Sequence, residues 1–318
     1  MKKSIFILSV ATLLAMGCSK DSNFVEQNSN FDPNEIRIEA EMGGTRATLT
    51  NFEAGDQMSL YVVEYTGDEI AEVQPLGNYI NNEKMTYNGR EWKSDRPLYW
   101  SKTHCDFYGF YPYQPSGSLK DVYLEVATDQ SQPSANGVLG GYEASDIMWA
   151  KTEKIKPPYT TYTDDDGTVC TPPIAEDHYY PVKMQFNHMM TRVVVDIVRG
   201  TKYEGELPKD ISVHIYNTAT TAIVDWTIGS LKAYPQGGRK TINMRKVDVD
   251  TFDAIVVPQF IERRTPLIEI TMGGIAYLLE TSISFRPGKQ HTITVTLNTS
   301  PDQEKIEIEL DGEVEDWQ

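Results

Sequence analysis

From residue 36 to the end, apolar side chains in this sequence recur at every second position and almost never with a helical period. Period two puts successive side chains on opposite faces of an extended strand, whereas one helix face needs a 3.6-residue repeat. The runs are short and bounded by Gly, Asn, Asp and Pro. They include Ile36–Ala40, Met58–Tyr65, Asp106–Tyr111, Met184–Phe186, Thr191–Val198, Ile211–Tyr216, Ile255–Val257, Leu267–Met272, Ala276–Ser284 and His291–Leu297. Such a chain is expected to be all-β. Asn88-Gly89, between strand-like flanks, predicts a hairpin turn, because both residues accept positive φ. Residues 151–181 carry Pro157-Pro158, Asp164-Asp165-Asp166-Gly167, Pro172-Pro173 and Pro181. Proline density without apolar periodicity marks a boundary. It predicts a first domain over residues 36–180 and a second over 181–318. The same stretch also reads as one long loop inside the first domain.

The first 17 residues have another character. Lys2 and Lys3 precede the apolar run IFILSVATLLAM, which has the form of a secretory signal and is too short to span a bilayer as a helix. Leu14-Ala15-Met16-Gly17-Cys18 resembles a bacterial lipobox, in which the cysteine is lipidated, with acyl chains such as palmitate, and becomes the new N-terminus. Residues 1–17 therefore read as a lipoprotein signal peptide and Cys18 as the lipidation site. Residues 18–35, polar and poor in apolar side chains, read as a tether.

Charge and chemistry exclude more than they assign. The net charge of −17 opposes binding to nucleic acid. Cys105 and Cys170 would pair in an oxidising compartment or stand as two lone thiols, and the second reading is preferred, since one lies in an apolar strand and the other in a polar loop. None of the histidines has paired metal-ligand spacing, and no nucleophile elbow, phosphate loop or dinucleotide fingerprint is present. Asp164-Asp165-Asp166-Gly167 fails as an EF-hand, because Tyr162 and Pro173 occupy the first and twelfth ligand positions. No catalytic residue, metal site or cofactor is nominated, and the chain does not read as an enzyme. The run Phe107-Tyr108-Gly109-Phe110-Tyr111-Pro112-Tyr113 admits a sugar platform, but a strand buried on both faces explains it without a ligand. Trp92, Trp100, Trp149 and Trp226 read as core or rim aromatics.

Several short motifs follow one another in a recognisable order. They are Thr45-Arg46-Ala47, Phe52-Glu53-Ala54-Gly55-Asp56-Gln57-Met58-Ser59-Leu60-Tyr61, Tyr87-Asn88-Gly89-Arg90-Glu91-Trp92 followed by Leu98-Tyr99-Trp100 and Phe107–Tyr113, Asp146-Ile147-Met148-Trp149-Ala150, Phe186-Asn187-His188-Met189-Met190-Thr191-Arg192-Val193 and Val314-Glu315-Asp316-Trp317. In that order, behind a lipobox, they resemble the fimbrillin family of type V pili, and most closely the Mfa-like fimbrillins. The resemblance implies two transthyretin-like β-sandwich domains in tandem. It implies export to the outer membrane as a lipoprotein, then removal of the N-terminal segment by an arginine-specific protease. It further implies that loss of the first strand opens a groove, which a strand from another fimbrillin subunit fills, and that the fimbrium serves adhesion through a host or bacterial receptor.

The residues fit that scheme at both ends. Ile36, Ile38, Ala40 and Met42 alternate with charged residues just before Arg46, so they form a candidate displaced strand. Ile306, Ile308, Leu310 and Val314 alternate with acidic residues near the C-terminus and form a candidate donor strand, with Gly312 in phase. Cleavage between Arg46 and Ala47, after the flexible Gly43-Gly44-Thr45, would discard Cys18 and the first strand together. The alternative is a monomeric surface lipoprotein that binds a glycan or a host protein and keeps its lipid.

Overall fold

The computed structural model describes residues 32, 34–43, 52–115, 117–135, 137–157, 162–163, 169–170, 181–262, 264–298 and 308–317. Cys18, Arg46, Ala47, Ile306 and Asp164–Gly167 lie outside them. The chain from Pro33 to Gln318 forms one compact unit. Its described residues are almost entirely β, with one helical turn at Gly141–Ser145 and a 3₁₀ turn at Pro235–Gly237.

The first sheet closes on itself. Its strands run in the order Gln57–Thr66, Ile80–Tyr87, Trp92–Lys93, Ile38–Met42, Val182–His188, Met148–Ile155 and Cys105–Tyr111, and the last pairs back onto Gln57–Thr66. The second half stacks two sheets. One contains Arg245–Lys246, Thr251–Val256, Thr191–Arg199, Lys289–Leu297 and Ile308–Asp316. The other contains Arg239–Asn243, Ser212–Ala219, Pro266–Met272 and Ile275–Glu280. Alternating inward residues fill the space between them, among them Val193, Val195, Ile197, Ile215, Ile268 and Ile270.

Two hydrophobic cores result, and three strands of the first sheet face both. Leu60 and Val62, Phe107 and Tyr111, and Met148 and Ala150 point into the first core. Tyr61 and Val63, Tyr108 and Phe110, and Ile147 point into the second. The aromatic run is thus a strand buried on both faces, as its alternation implied. Phe110 stacks on Trp226 with ring centroids 4.8 Å apart, and Trp149 Nε1 donates to the Trp226 carbonyl at 2.8 Å. The second half reaches back as well, because Val122–Glu125 pairs with Thr221–Asp225.

Three local expectations change. The chain leaves the first sheet at Met189–Met190 rather than at residue 181, because the buried alternation of Val182–His188 continues the first core. Residues 151–155 of the expected linker are strand, paired with Cys105–Tyr108. In the hairpin, only Gly89 has positive φ (92°). Asn88 acts through its side chain, whose Oδ1 accepts from the Arg90 and Glu91 amides at 2.9 Å each.

Gly109 interrupts the aromatic run for a packing reason. A Cβ there would lie 2.4 Å from Phe186 Cζ and 3.0 Å from Met184 Cε. Gly109→Ala is therefore expected to destabilise the protein by about 1–3 kcal/mol through overpacking, read from urea denaturation midpoints.

Candidate functional site

The two alternating terminal segments are both sheet members, held in different ways. Ile38–Met42 runs parallel to Val182–Phe186 in continuous register, from Ile38 opposite Val182 to Met42 opposite Phe186. Val182 N donates to the Arg37 carbonyl at 2.8 Å and Gly43 N to the Phe186 carbonyl at 2.6 Å. Among the described residues, the other edge is paired only at its start. Ile38 lies opposite Trp92, Ile36 N donates to the Leu98 carbonyl at 2.7 Å, and Glu35 bridges to Tyr99. Ile36 and Ile38 are buried in the first core, and Ala40 and Met42, partly buried, pack against it. Burial of each isoleucine is worth about 1.5–3 kcal/mol.

Phe52, on the far side of Arg46 in sequence, sits in the same core. Its ring makes edge contacts with Trp92 at 4.9 Å, Tyr111 at 5.4 Å and Phe186 at 5.5 Å. The turn that follows is fixed by Asp56. One carboxylate oxygen accepts from Glu53 N at 2.7 Å, and the other accepts from Tyr111 Oη at 3.0 Å. Burial raises the Asp56 pKa above the usual carboxylate range, against those two hydrogen bonds.

The C-terminal strand Ile308–Asp316 is an edge strand. It pairs antiparallel with Lys289–Leu297 over nine positions, from Ile308 opposite Leu297 to Asp316 opposite Lys289. Its outer surface is acidic, which discourages unspecific edge pairing. Val314, in phase with Ile308 and Leu310, is 50 % exposed. The strand is pinned at its end instead. Trp317 is buried, its amide donates to the Gly288 carbonyl at 3.1 Å, and its indole stacks on His188 with centroids 3.8 Å apart and planes 10° apart. Lys289 pairs with Asp316, and Gln290 Nε2 donates to Glu315 Oε1 at 2.6 Å.

His188 is held from behind. Its Nδ1 lies 2.8 Å from Asp146 Oδ1, so the Nδ1 proton donates to the carboxylate. Asp146, His188 and Trp317 come from three of the sequence motifs and meet at one place. None of them was nominated as a site residue, because nothing in the spacing of the motifs shows that they touch. Nearby, His291 is buried opposite Val314, and desolvation, reinforced by Arg286, lowers its pKa. Cys105 is a free, buried thiol whose pKa is pushed up to about 11 by desolvation. Cys170 falls in the strand Val169–Cys170.

Fold and site together define an all-β protein whose first strand completes one core and whose last strand borders another. A Fimbrillin-like family model matches residues 45–317, so the chain belongs to the fimbrillin-like family. Among solved structures, a candidate cell adhesion protein of Bacteroides uniformis ATCC 8492 is similar, with 22% identity and a TM-score of 0.60 over 90% of this chain and 100% of that one. A candidate cell adhesion protein of Bacteroides ovatus ATCC 8483 is similar with 14% identity and a TM-score of 0.62, over 89% of this chain and 98% of that one. Both likenesses bear on the fold. No curated protein matches the chain.

If Trp317 pins the C-terminal strand, Trp317→Ala is expected to cost about 3–5 kcal/mol locally. Amide hydrogen exchange is then expected to speed up across residues 308–316 and to stay unchanged in Cys105–Tyr111. Equal loss of protection in both segments would mean that Trp317 supports the whole fold.

Proposed function

We propose that this chain is a structural subunit of a bacterial surface fimbrium of the type V kind. In this reading it is exported to the outer membrane as a lipoprotein through Cys18, matures by cleavage between Arg46 and Ala47, and joins other subunits by strand exchange in a fimbrium that serves adhesion. Its two halves act as tandem transthyretin-like sandwiches. Family membership supports the fimbrial role.

The observation that carries the assembly step is the position of Ile38–Met42 inside the first sheet. One edge of this strand is fully paired and the other only at its start. Its removal would take Ile36 and Ile38 out of the first core, together with the packing of Ala40 and Met42, and leave the backbone of Val182–Phe186 without its partner. An exposed strand edge over an apolar trough is the geometry that strand addition uses. The retained Phe52 keeps the neighbouring part of the core filled. The C-terminal segment supplies the matching donor pattern in Ile306, Ile308, Leu310 and Val314. To donate, it would leave Lys289–Leu297 and withdraw Trp317 from His188. The matched family region begins at residue 45, so the displaced strand lies outside it.

The test uses purified precursor and an arginine-specific protease. Cleavage at Arg46 is expected to yield SDS-resistant ladders, and both Arg46→Ala and deletion of residues 304–318 are expected to abolish them. Monomer alone after complete cleavage would overturn strand exchange.

A further inference from the structure

A cavity of about 430 Å³ opens where the two halves meet, away from the terminal strand ladders except at Met42. Its walls are the turn Glu53–Gln57, the strand end Tyr111–Tyr113, the helical turn carrying Tyr142 and Glu143, and the arginines Arg192 and Arg245. Its volume falls at the lower end of the range for ligand pockets.

Both arginines of this cavity are held by the groups around them. Each guanidinium nitrogen makes a hydrogen bond, so three of the five N–H groups of each arginine are used. Arg192 Nε and Nη2 donate to Asp253 Oδ2 at 3.2 and 2.8 Å, and Nη1 donates to Gln290 Oε1 at 3.0 Å. Arg245 Nε and Nη2 donate to the two Asp253 oxygens at 2.9 Å each, Nη1 donates to Glu143 Oε1 at 3.1 Å, and the guanidinium lies 3.5 Å from the centre of the Tyr142 ring. The acceptors are not used up. Glu143 Oε2 is buried without a partner. Asp146 spends only Oδ1, on His188. Tyr142 is 7 % exposed, lines the cavity, and its hydroxyl bonds to nothing among the described residues.

Charge points the same way. Glu53, Asp56, Glu143 and Asp146 line the cavity, against the two arginines, which already share the buried Asp253. An anion would meet the repulsion of these carboxylates. No group of three or more metal-ligating side chains exists among the described residues, so the carboxylates are too dispersed to cage a bare ion. A long side chain ending in several N–H donors would satisfy both the spare acceptors and the uncompensated charge.

We propose that this cavity binds an ammonium or guanidinium group, as carried by a lysine or arginine side chain of a partner polypeptide. The engaged arginines act as a frame. They hold Asp253, Glu143 and the Tyr142 ring in place, and Glu143 Oε2, Asp146 Oδ2 and the Tyr142 hydroxyl are left to receive the ligand. Met42 of the first strand lines one edge of the cavity, so the site is complete in the uncleaved chain.

The experiment uses the full uncleaved chain carrying Arg46→Ala, so that assembly does not intervene. Met42 and Met148 both line the cavity, and their ¹³C-methyl signals report on it. The probes are Ac-Gly-Lys-Gly-NH₂, Ac-Gly-Arg-Gly-NH₂, the Nε-acetylated lysine peptide, Ac-Gly-Glu-Gly-NH₂ and n-butylamine. Saturable shifts with the two basic peptides, weakened by salt and absent with the acetylated and glutamate peptides, are expected. Tighter binding of the basic peptides than of butylamine supports a polypeptide partner, and the reverse order supports a free amine of the same chemistry. Glu143→Gln and Tyr142→Phe are each expected to weaken binding roughly tenfold or more with unchanged folding. Tyr142→Phe keeps the ring under Arg245, which makes it the gentler variant. Equal response to the acetylated peptide, or no response to any basic probe, overturns the proposal.

Discussion

The shared wall of Gln57–Thr66, Cys105–Tyr111 and Met148–Ile155 is the constraint on which the rest of the structure depends. Each strand presents alternate residues to two different cores, so neither core can shift without moving the other. Interiors pack at crystal-like density, and a strand clamped on both faces has little freedom to adjust. The Phe110–Trp226 stack and the Trp149–Trp226 hydrogen bond fix the second half directly to this wall. That rigidity confines easy change to the periphery, where the two terminal strands lie.

The two ends of the chain differ in what they hold. Ile38–Met42 contributes side chains to the first core and gains a full ladder on one side only. Ile308–Asp316 contributes a nine-residue ladder, exposed side chains from Asp311 to Asp316, and one buried anchor at Trp317. Losing the first strand would cost apolar burial that no other described residue replaces. Among the described side chains, releasing the last would cost its backbone hydrogen bonds, each worth only about 0.5–1.5 kcal/mol net, and the stack of Trp317 on His188.

Much of the fold was legible in the alternation. The aromatic run and the strands Thr191–Arg199, Pro266–Met272 and Lys289–Leu297 stand within a residue or two of where period two put them. The change of sheet at Met189–Met190 was not legible, because prolines and acidic residues in the stretch before it mark a loop without saying which sheet the next strand joins. The exposure of Val314 has a related cause. Alternation fixes which face a residue takes, but only neighbouring strands decide whether that face is covered. The meeting of Asp146, His188 and Trp317 lay beyond reach, because their contact depends on the path of two sheets and of the helical turn that ends at Asp146. The cavity was equally hidden, because its carboxylates are scattered from Glu53 to Asp146 and read singly as surface charge.

The central claim is that the first strand is a removable plug. Its most direct test is the N-terminus of this chain in polymers sheared from the cell surface, read by mass spectrometry. The account predicts a free Ala47 in the polymer and lipidated Cys18 only in the membrane-bound precursor. Polymers whose subunits still begin at lipidated Cys18 and retain Ile38–Met42 would contradict it.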